Sequence, residues 1–433
     1  MSLELMSLIL IGGLLILLAL GVEVFAAVGL MAAIGLVFFV GQSVEQFAFT
    51  AFDAMNSWVL TALPIFIFMG AIFSNAGIVR SLFVAADKWF GILPGGLVCS
   101  VIGVNGVFGA MSGSCVAATA TFGKFTYPEL ESLGYNPRLA LGALAAGGLL
   151  SAAIPPSLTL VVYGGWADVS VPRLFAAVLI PGIMLMLLFM LTVMVQVKLN
   201  PSLAPKTPES TWREKLVAVR DLLPWLGVIV LVLGTIFGGV MTATEAAAMG
   251  AFLSIVLALG YRKMSFAVLK ESMRTAVRIT SMYAFIMFAA SVLGMIFVHI
   301  GVADSFSTFL LNLPFGKYGI IAVIALLYII GGMFIDDWAL LLLTIPIVLP
   351  VVTKLGYSPV WFGVFFVLVG ESGLITPPFG LNLFVLKNIV PEQDIMNIAL
   401  GALPFMISIL IMAVLVVAFP QLALWLPGVL YSR

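Results

Sequence analysis

Charge is what this sequence has least of. Only 9% of its 433 residues are Asp, Glu, Lys or Arg, where an ordinary soluble domain carries about 25%. Lys plus Arg and Asp plus Glu both number 19, so the formal net charge is zero and nothing points to a nucleic-acid partner. Histidine occurs once and cysteine twice. Cys99 and Cys115 have neither transition-metal spacing nor the pattern of a disulfide framework. A Gly-rich lysine loop of the Walker type is missing, which argues against direct drive by ATP. The alternation of apolar and polar residues that marks membrane β-strands is missing as well.

What is present is apolar. Hydrophobic residues make up 63% of the chain and mean hydropathy is +1.24, the signature of an all-α polytopic membrane protein. Runs suited to crossings of about 20 residues lie near 3–20, 24–41, 57–76, 137–165, 172–198, 222–240, 243–260, 279–300, 359–388 and 396–420. The first has no basic stretch before it and reads as a retained helix. Two longer stretches, 95–127 and 318–350, are interrupted by Met111-Ser112-Gly113-Ser114 and by Phe334-Ile335-Asp336-Asp337. Each is expected to form a re-entrant hairpin. The segments 137–165 and 359–388 carry Pro155-Pro156 and Pro377-Pro378. Proline lacks an N–H and breaks a helix, and in hydrocarbon a break is tolerated only inside protein or beside a cavity.

These features recur. Displaced by 222 positions, Gly109, Met111, Pro128, Leu133-Gly134-Tyr135, Pro137, Gly148 and Pro155-Pro156 fall on Gly331, Met333, Pro350, Leu355-Gly356-Tyr357, Pro359, Gly370 and Pro377-Pro378. The repeat unit is a helix, a short connecting helix, a hairpin and a broken helix. The chain therefore divides into N-terminal scaffold helices (1–56), a first repeat (57–198), a connecting region (199–278), a second repeat (279–420) and a tail (421–433). The connecting region opens with a linker bearing Pro201, Pro205 and Pro208 and closes with a basic amphipathic stretch over 262–278, expected to lie along an anionic leaflet.

Following the crossings, 15 of the 19 Lys and Arg residues fall on the side of the 199–221 linker. That side is expected to be cytoplasmic, which puts both termini outside and the two hairpins on opposite faces. Inverted repeats with broken helices at mid-membrane are the architecture of secondary transporters.

The segment 109–157, GAMSGSCVAATATFGKFTYPELESLGYNPRLALGALAAGGLLSAAIPPS, resembles the large (DctM-like) membrane subunit of tripartite ATP-independent periplasmic (TRAP) transporters. So do SVPRLFAAVLIPG, TATEAAA, GMFIDDWALLLLTIPIVLP, LGYSPVWFGV and LITPPFGLNLFV, and the resemblance runs from about residue 60 to 405. It implies an elevator-type, sodium-coupled importer of organic anions in the bacterial inner membrane. It also implies two partners: a small four-helix membrane subunit, for which this chain has no room, and a soluble periplasmic substrate-binding protein.

Candidate ion sites follow from the breaks themselves. Sodium is a hard cation needing oxygens, and a broken helix offers backbone carbonyls at the negative end of its first half. One site would join Ser112, Gly113 and Ser114 to Ile154, Pro155 and Ser157; the other would join Asp336 and Asp337 to Thr376, Gly380 and Asn382. The repeat sets Ser114 against Asp336 and Cys115 against Asp337. Helix capping is the competing role for the serines and for one of the aspartates. An aspartate at mid-membrane costs roughly 2.5–3.5 kcal/mol on insertion scales, so it needs a partner, a cap or a ligand.

Glu371 has three open readings: a proton site, a substrate-facing group, or a residue reaching the outer interface. His299, at the repeat position of Asn75, reads as structural, and Glu245 as the capping residue of the 243–260 helix. For the substrate, Ser157, Tyr163, Asn382 and Lys124 are candidate lining residues, Lys124 being the basic residue nearest mid-membrane. The reading is thus a transport subunit carrying a small carboxylate with sodium as the coupling ion and no other cofactor. Two rivals are a stand-alone ion-coupled anion symporter or exchanger, and an intramembrane hydrolase using Asp336 and Asp337. The second suffers because adjacent helical residues point about 100° apart.

Overall fold

The computed structural model describes residues 3–40, 44–77, 79–205 and 211–431. Lys206, Pro208 and Arg433 lie outside the described residues. The described residues form helices and no strand, and six helices are long and apolar enough to cross a membrane, or eight if two bent pairs each count as one crossing.

Both long stretches form two helices broken at the expected residues. The first pairs Gly96–Ser112 with Cys115–Ser132, and the second pairs Gly316–Phe334 with Asp337–Lys354. The break residues and the following helix repeat at the same 222-residue displacement: Ser112, Cys115, Ser132 and Pro137 answer to Phe334, Asp337, Lys354 and Pro359. The two tips turn differently. Gly113 takes a left-handed φ of +61°, whereas Ile335 and Asp336 are extended.

Both Pro-Pro steps interrupt helices. Pro137–Ala153 and Leu158–Trp166 bend by 41° across the first. The second separates Pro359–Gly370 and a short 3₁₀ turn, Glu371–Ile375, from Leu381–Ile389. The Pro155–Pro156 and Pro377–Pro378 bonds are both cis. The first halves are buried on all sides, from Leu139 to Ala153 and from Trp361 to Gly370, as expected of helices that are apolar all round. In the first, alanine and glycine let neighbouring backbones come close. Around them pack the hairpins and two long helices, Val171–Leu199 and Ile395–Ala418.

A second group of helices stands beside this one. Its axis is Phe266–His299, which packs on Val24–Gly35, Val44–Met55 and Ala62–Asn75. Ala243–Gly260 bridges Ala62–Asn75 and Trp212–Phe237.

Three details differ from the sequence reading. The basic stretch 262–278 and the crossing 279–300 were separated there, but Phe266–His299 is one continuous helix of 34 residues. No glycine or proline interrupts the join between Arg278 and Ile279, so nothing there breaks the hydrogen-bond ladder. Val44–Met55 is an additional helix, amphipathic and too short for a crossing. The tail forms a helix, Gln421–Leu430, against Val171–Leu199.

Candidate functional site

The tip of the first hairpin sits against the first broken helix. A Cβ on Gly113 would lie 2.6 Å from Leu158 Cγ, so the left-handed glycine permits both the turn and the close approach. Ser114 Oγ accepts from Ala117 N–H at 3.4 Å, and Ser157 Oγ accepts from Leu160 N–H at 3.3 Å. Both serines thus cap helices that start at the break. Ser112 Oγ and Ser151 Oγ are buried without a hydrogen-bond partner among the described residues, and Ile154 is the extended residue that ends the first half.

At the second break the corresponding groups have partners of their own. Thr376 Oγ1 donates to Ser372 O at 2.7 Å. Asn382 Nδ2 donates to Ala145 O at 3.2 Å, and its Oδ1 has no partner among the described residues. Gly380 N–H donates to Thr376 O at 3.2 Å. The second hairpin meets this region through backbone instead: a Cβ on Gly332 would lie 2.7 Å from Gly370 O.

Asp337 turns elsewhere, towards the first repeat. Its Oδ2 lies 3.1 Å from Thr159 Oγ1. The same hydroxyl is 2.9 Å from Glu371 Oε1 and accepts from Trp338 Nε1–H at 2.9 Å. Glu371 Oε2 accepts from Cys115 Sγ at 2.8 Å. Thus Cys115 from the first hairpin, Thr159 from the first broken helix, Asp337 from the second hairpin and Glu371 from the second broken helix form one cluster. Thr159 has one proton to donate and two lone pairs. With the indole N–H on one lone pair, the hydroxyl can donate to one carboxyl only. The other contact closes as a hydrogen bond when that carboxyl carries a proton.

Glu371 is 1% exposed, so its carboxyl does not reach the surface of the chain. Asp337 is 6% exposed. Asp336 holds the N-cap position, with Oδ1 3.5 Å from Tyr283 OH and Oδ2 unpartnered among the described residues. The Tyr283 and Trp338 rings lie 3.6 Å apart, joining the long helix Phe266–His299 to the second hairpin. A cavity of about 20 Å³ opens between Ser114, Cys115, Thr159, Asp337, Trp338 and Tyr283, room for one water molecule or one small ion.

Of the proposed lining residues, Tyr163 is buried, donates to Pro359 O at 2.7 Å and packs on Phe362. Lys124 is exposed, on the helical stripe that also carries Ala117 and Thr121. His299 ends its helix, while Asn75 Nδ2 donates to Ser272 Oγ at 3.0 Å. Glu245 forms the expected capping box with Thr242. Sequence reasoning passed over Thr159, Trp338 and Tyr283. A threonine two residues beyond Ser157, and a tryptophan directly after two aspartates, were the available signals.

The sequence family described as "Tripartite ATP-independent periplasmic transporter, DctM component" matches residues 11–422. The C4-dicarboxylate TRAP transporter large permease protein DctM of Pseudomonas aeruginosa is 31% identical over 407 residues, 93% of this chain and 94% of its own. The isethionate TRAP transporter permease protein DctMQ of Oleidesulfovibrio alaskensis is 31% identical over 95% of this chain, which spans 65% of that protein. Among solved structures, the Alcanivorax borkumensis YdaH transporter superposes with a TM-score of 0.62 at 15% identity, over 96% of this chain and 99% of its own. At that identity the likeness concerns the fold.

Proposed function

The chain belongs to the tripartite ATP-independent periplasmic transporter family, as its DctM component, and we propose that it is the transport subunit of a sodium-coupled importer of small organic anions. It is a transporter permease and not an enzyme, which removes the hydrolase alternative. In this reading it sits in the bacterial inner membrane with both termini periplasmic. A small four-helix membrane subunit stands beside it, and a periplasmic binding protein delivers the substrate. The relative DctMQ is named as a single permease protein, and this chain spans 65% of its length. C4-dicarboxylate and isethionate, in the names of two relatives, are both small organic anions.

One observation carries the reading: both hairpins and both broken helices supply oxygen or sulfur atoms to one buried cluster beside a cavity of ion size. A cation there would draw on Asp337, Thr159 and Ser114, and it would tie together the parts that an elevator has to move as one body. The hairpins and broken helices pack as one group and the helices around Phe266–His299 as another, a division that suits a moving domain against a static scaffold.

The test is uptake in proteoliposomes holding the chain with its small subunit and binding protein. Uptake should collapse when the sodium gradient is removed, and Ser114→Ala and Asp337→Asn should each raise the sodium concentration needed for half-maximal uptake. Uptake indifferent to sodium would refute the coupling. Uptake by this chain alone would instead favour the stand-alone symporter.

A further inference from the structure

We propose that one face of the helix Phe266–His299 lines the cytoplasmic release path for the anion, and that Arg274 and Arg278 gather anions at its mouth. This rests on the reading above, that the substrate is a small organic anion and that the basic side of the chain is cytoplasmic.

Three cavities follow one another along this helix, each sharing lining residues with the next. The outermost is lined by Glu271, Arg274, Thr275, Arg278 and Ile279. The next, of about 90 Å³, shares Thr275 and Ile279 with it and reaches Ser112, Ser114, Tyr283 and Trp338. The innermost shares Ser114, Tyr283 and Trp338 and ends at Thr159 and Asp337. Thr275, Ile279 and Tyr283 are spaced by four and stack on one side of the helix. The opposite wall of the middle cavity is the first hairpin, where Ser114 and Ala117 line it. One turn further on, Thr121 Oγ1 meets Ser74 Oγ at 3.1 Å.

The charges suit an anion. Arg274 and Arg278 are exposed, and neither has an ion-pair partner among the described residues. Both line the mouth, which has one acidic lining residue, Glu271. Charges of one sign around a low-dielectric cleft concentrate counter-ions. Deeper in, the helix Cys115–Ser132 directs its N-terminus at the middle cavity through Ser114, again favouring negative charge. The carboxyls of Asp337 and Glu371 meet at Thr159, next to the tilted ring pair of Tyr283 and Trp338. An anion entering from the basic side would therefore stop at the hydroxyls of Ser112 and Ser114.

The test uses two thiol reagents of similar size, methanethiosulfonates bearing a sulfonate or a trimethylammonium group, applied from the cytoplasmic side to the reconstituted complex. Thr275→Cys and Ile279→Cys are placed in a C99A/C115A background, with the unaltered chain as a second background because both native cysteines are buried. Both new thiols should be modified, faster by the sulfonate. Adding R274Q and R278Q should lower the ratio of the two rates by about tenfold. No modification of either thiol from that side would remove the path, and a ratio unchanged in the double variant would remove the arginines from it. Modification needs no substrate and no turnover, so this outcome stands apart from whether uptake depends on sodium.

Discussion

Asp337 opens the second helix of the second hairpin, yet its carboxyl lies 3.1 Å from the hydroxyl of Thr159, 178 positions away in the other repeat. A pair of repeats that merely resembled each other would each keep its polar groups at its own break. Here the second repeat hands its acid to the first, and Thr159 becomes the one atom shared by Asp337, Glu371 and Trp338.

Thr159→Val keeps the shape and deletes the hydroxyl. It leaves the Trp338 indole N–H without its acceptor and a carboxyl without its donor. Each buried orphan costs about 1–3 kcal/mol, so the midpoint of thermal unfolding in detergent should drop clearly, while Thr159→Ser should stay near the parent. Equal midpoints for the valine and serine variants would show that the hydroxyl holds nothing together.

Glu371 separates into a shape and a charge. Glu371→Gln preserves an oxygen for Cys115 and a polar group facing Thr159, whereas Glu371→Ala opens a cavity and strands both partners. The alanine variant should lose on the order of 2–4 kcal/mol, combining truncation with lost hydrogen bonds, and the glutamine variant much less. Unfolding of the two variants side by side decides this.

Gly113→Ala tests the tip of the first hairpin. The left-handed backbone costs a non-glycine residue roughly 1–2 kcal/mol, and the new Cβ also meets Leu158 Cγ at 2.6 Å. Gly134→Ala is the comparison: its φ is +83° but nothing lies within 4 Å of the added Cβ. The first substitution should destabilise more than the second, and adding Leu158→Ala should recover part of the difference. Identical losses at 113 and 134 would mean that the tip is not tightly seated.

Outside the membrane, Thr211 and Glu214 form a capping box at the start of Trp212–Phe237. The Thr211 backbone N–H, then its hydroxyl, then Lys88 hold the Glu214 carboxyl below the usual carboxylate range. A carboxyl with a lowered folded value stabilises above its unfolded value, about 4.3, and this help fades as pH falls through the folded value. Protection of the first-turn amides against hydrogen exchange, relative to their intrinsic rates, should therefore fall in acid. Thr211→Ala should exchange faster at neutral pH and lose that acid sensitivity.

The hairpins and breaks were legible in the sequence because each is a local interruption. Ser112-Gly113-Ser114 and the two Pro-Pro steps stop helices by their own chemistry, whatever surrounds them. Val44–Met55 escaped because a short amphipathic helix leaves no long apolar run. The separation of 262–278 from 279–300 overweighted charge: a basic half and an apolar half share one helical period, and continuity follows from the missing breaker. The cluster at Thr159 was not legible. It depends on how the second hairpin leans on the first broken helix, and nothing in the order of residues encodes which of two adjacent aspartates turns inward. The partner of Tyr163 was not legible either: a polar tip in an apolar helix is satisfied by a single backbone carbonyl, here that of Pro359.

The uninterrupted helix Phe266–His299 has a mechanical consequence. At 1.5 Å per residue its 34 residues make a rod of about 51 Å, well beyond the roughly 30 Å of hydrocarbon. Arg274 and Tyr283 are fixed along it about 14 Å apart. One uninterrupted helix therefore sets the spacing between the exposed basic residue and the ring that meets Trp338.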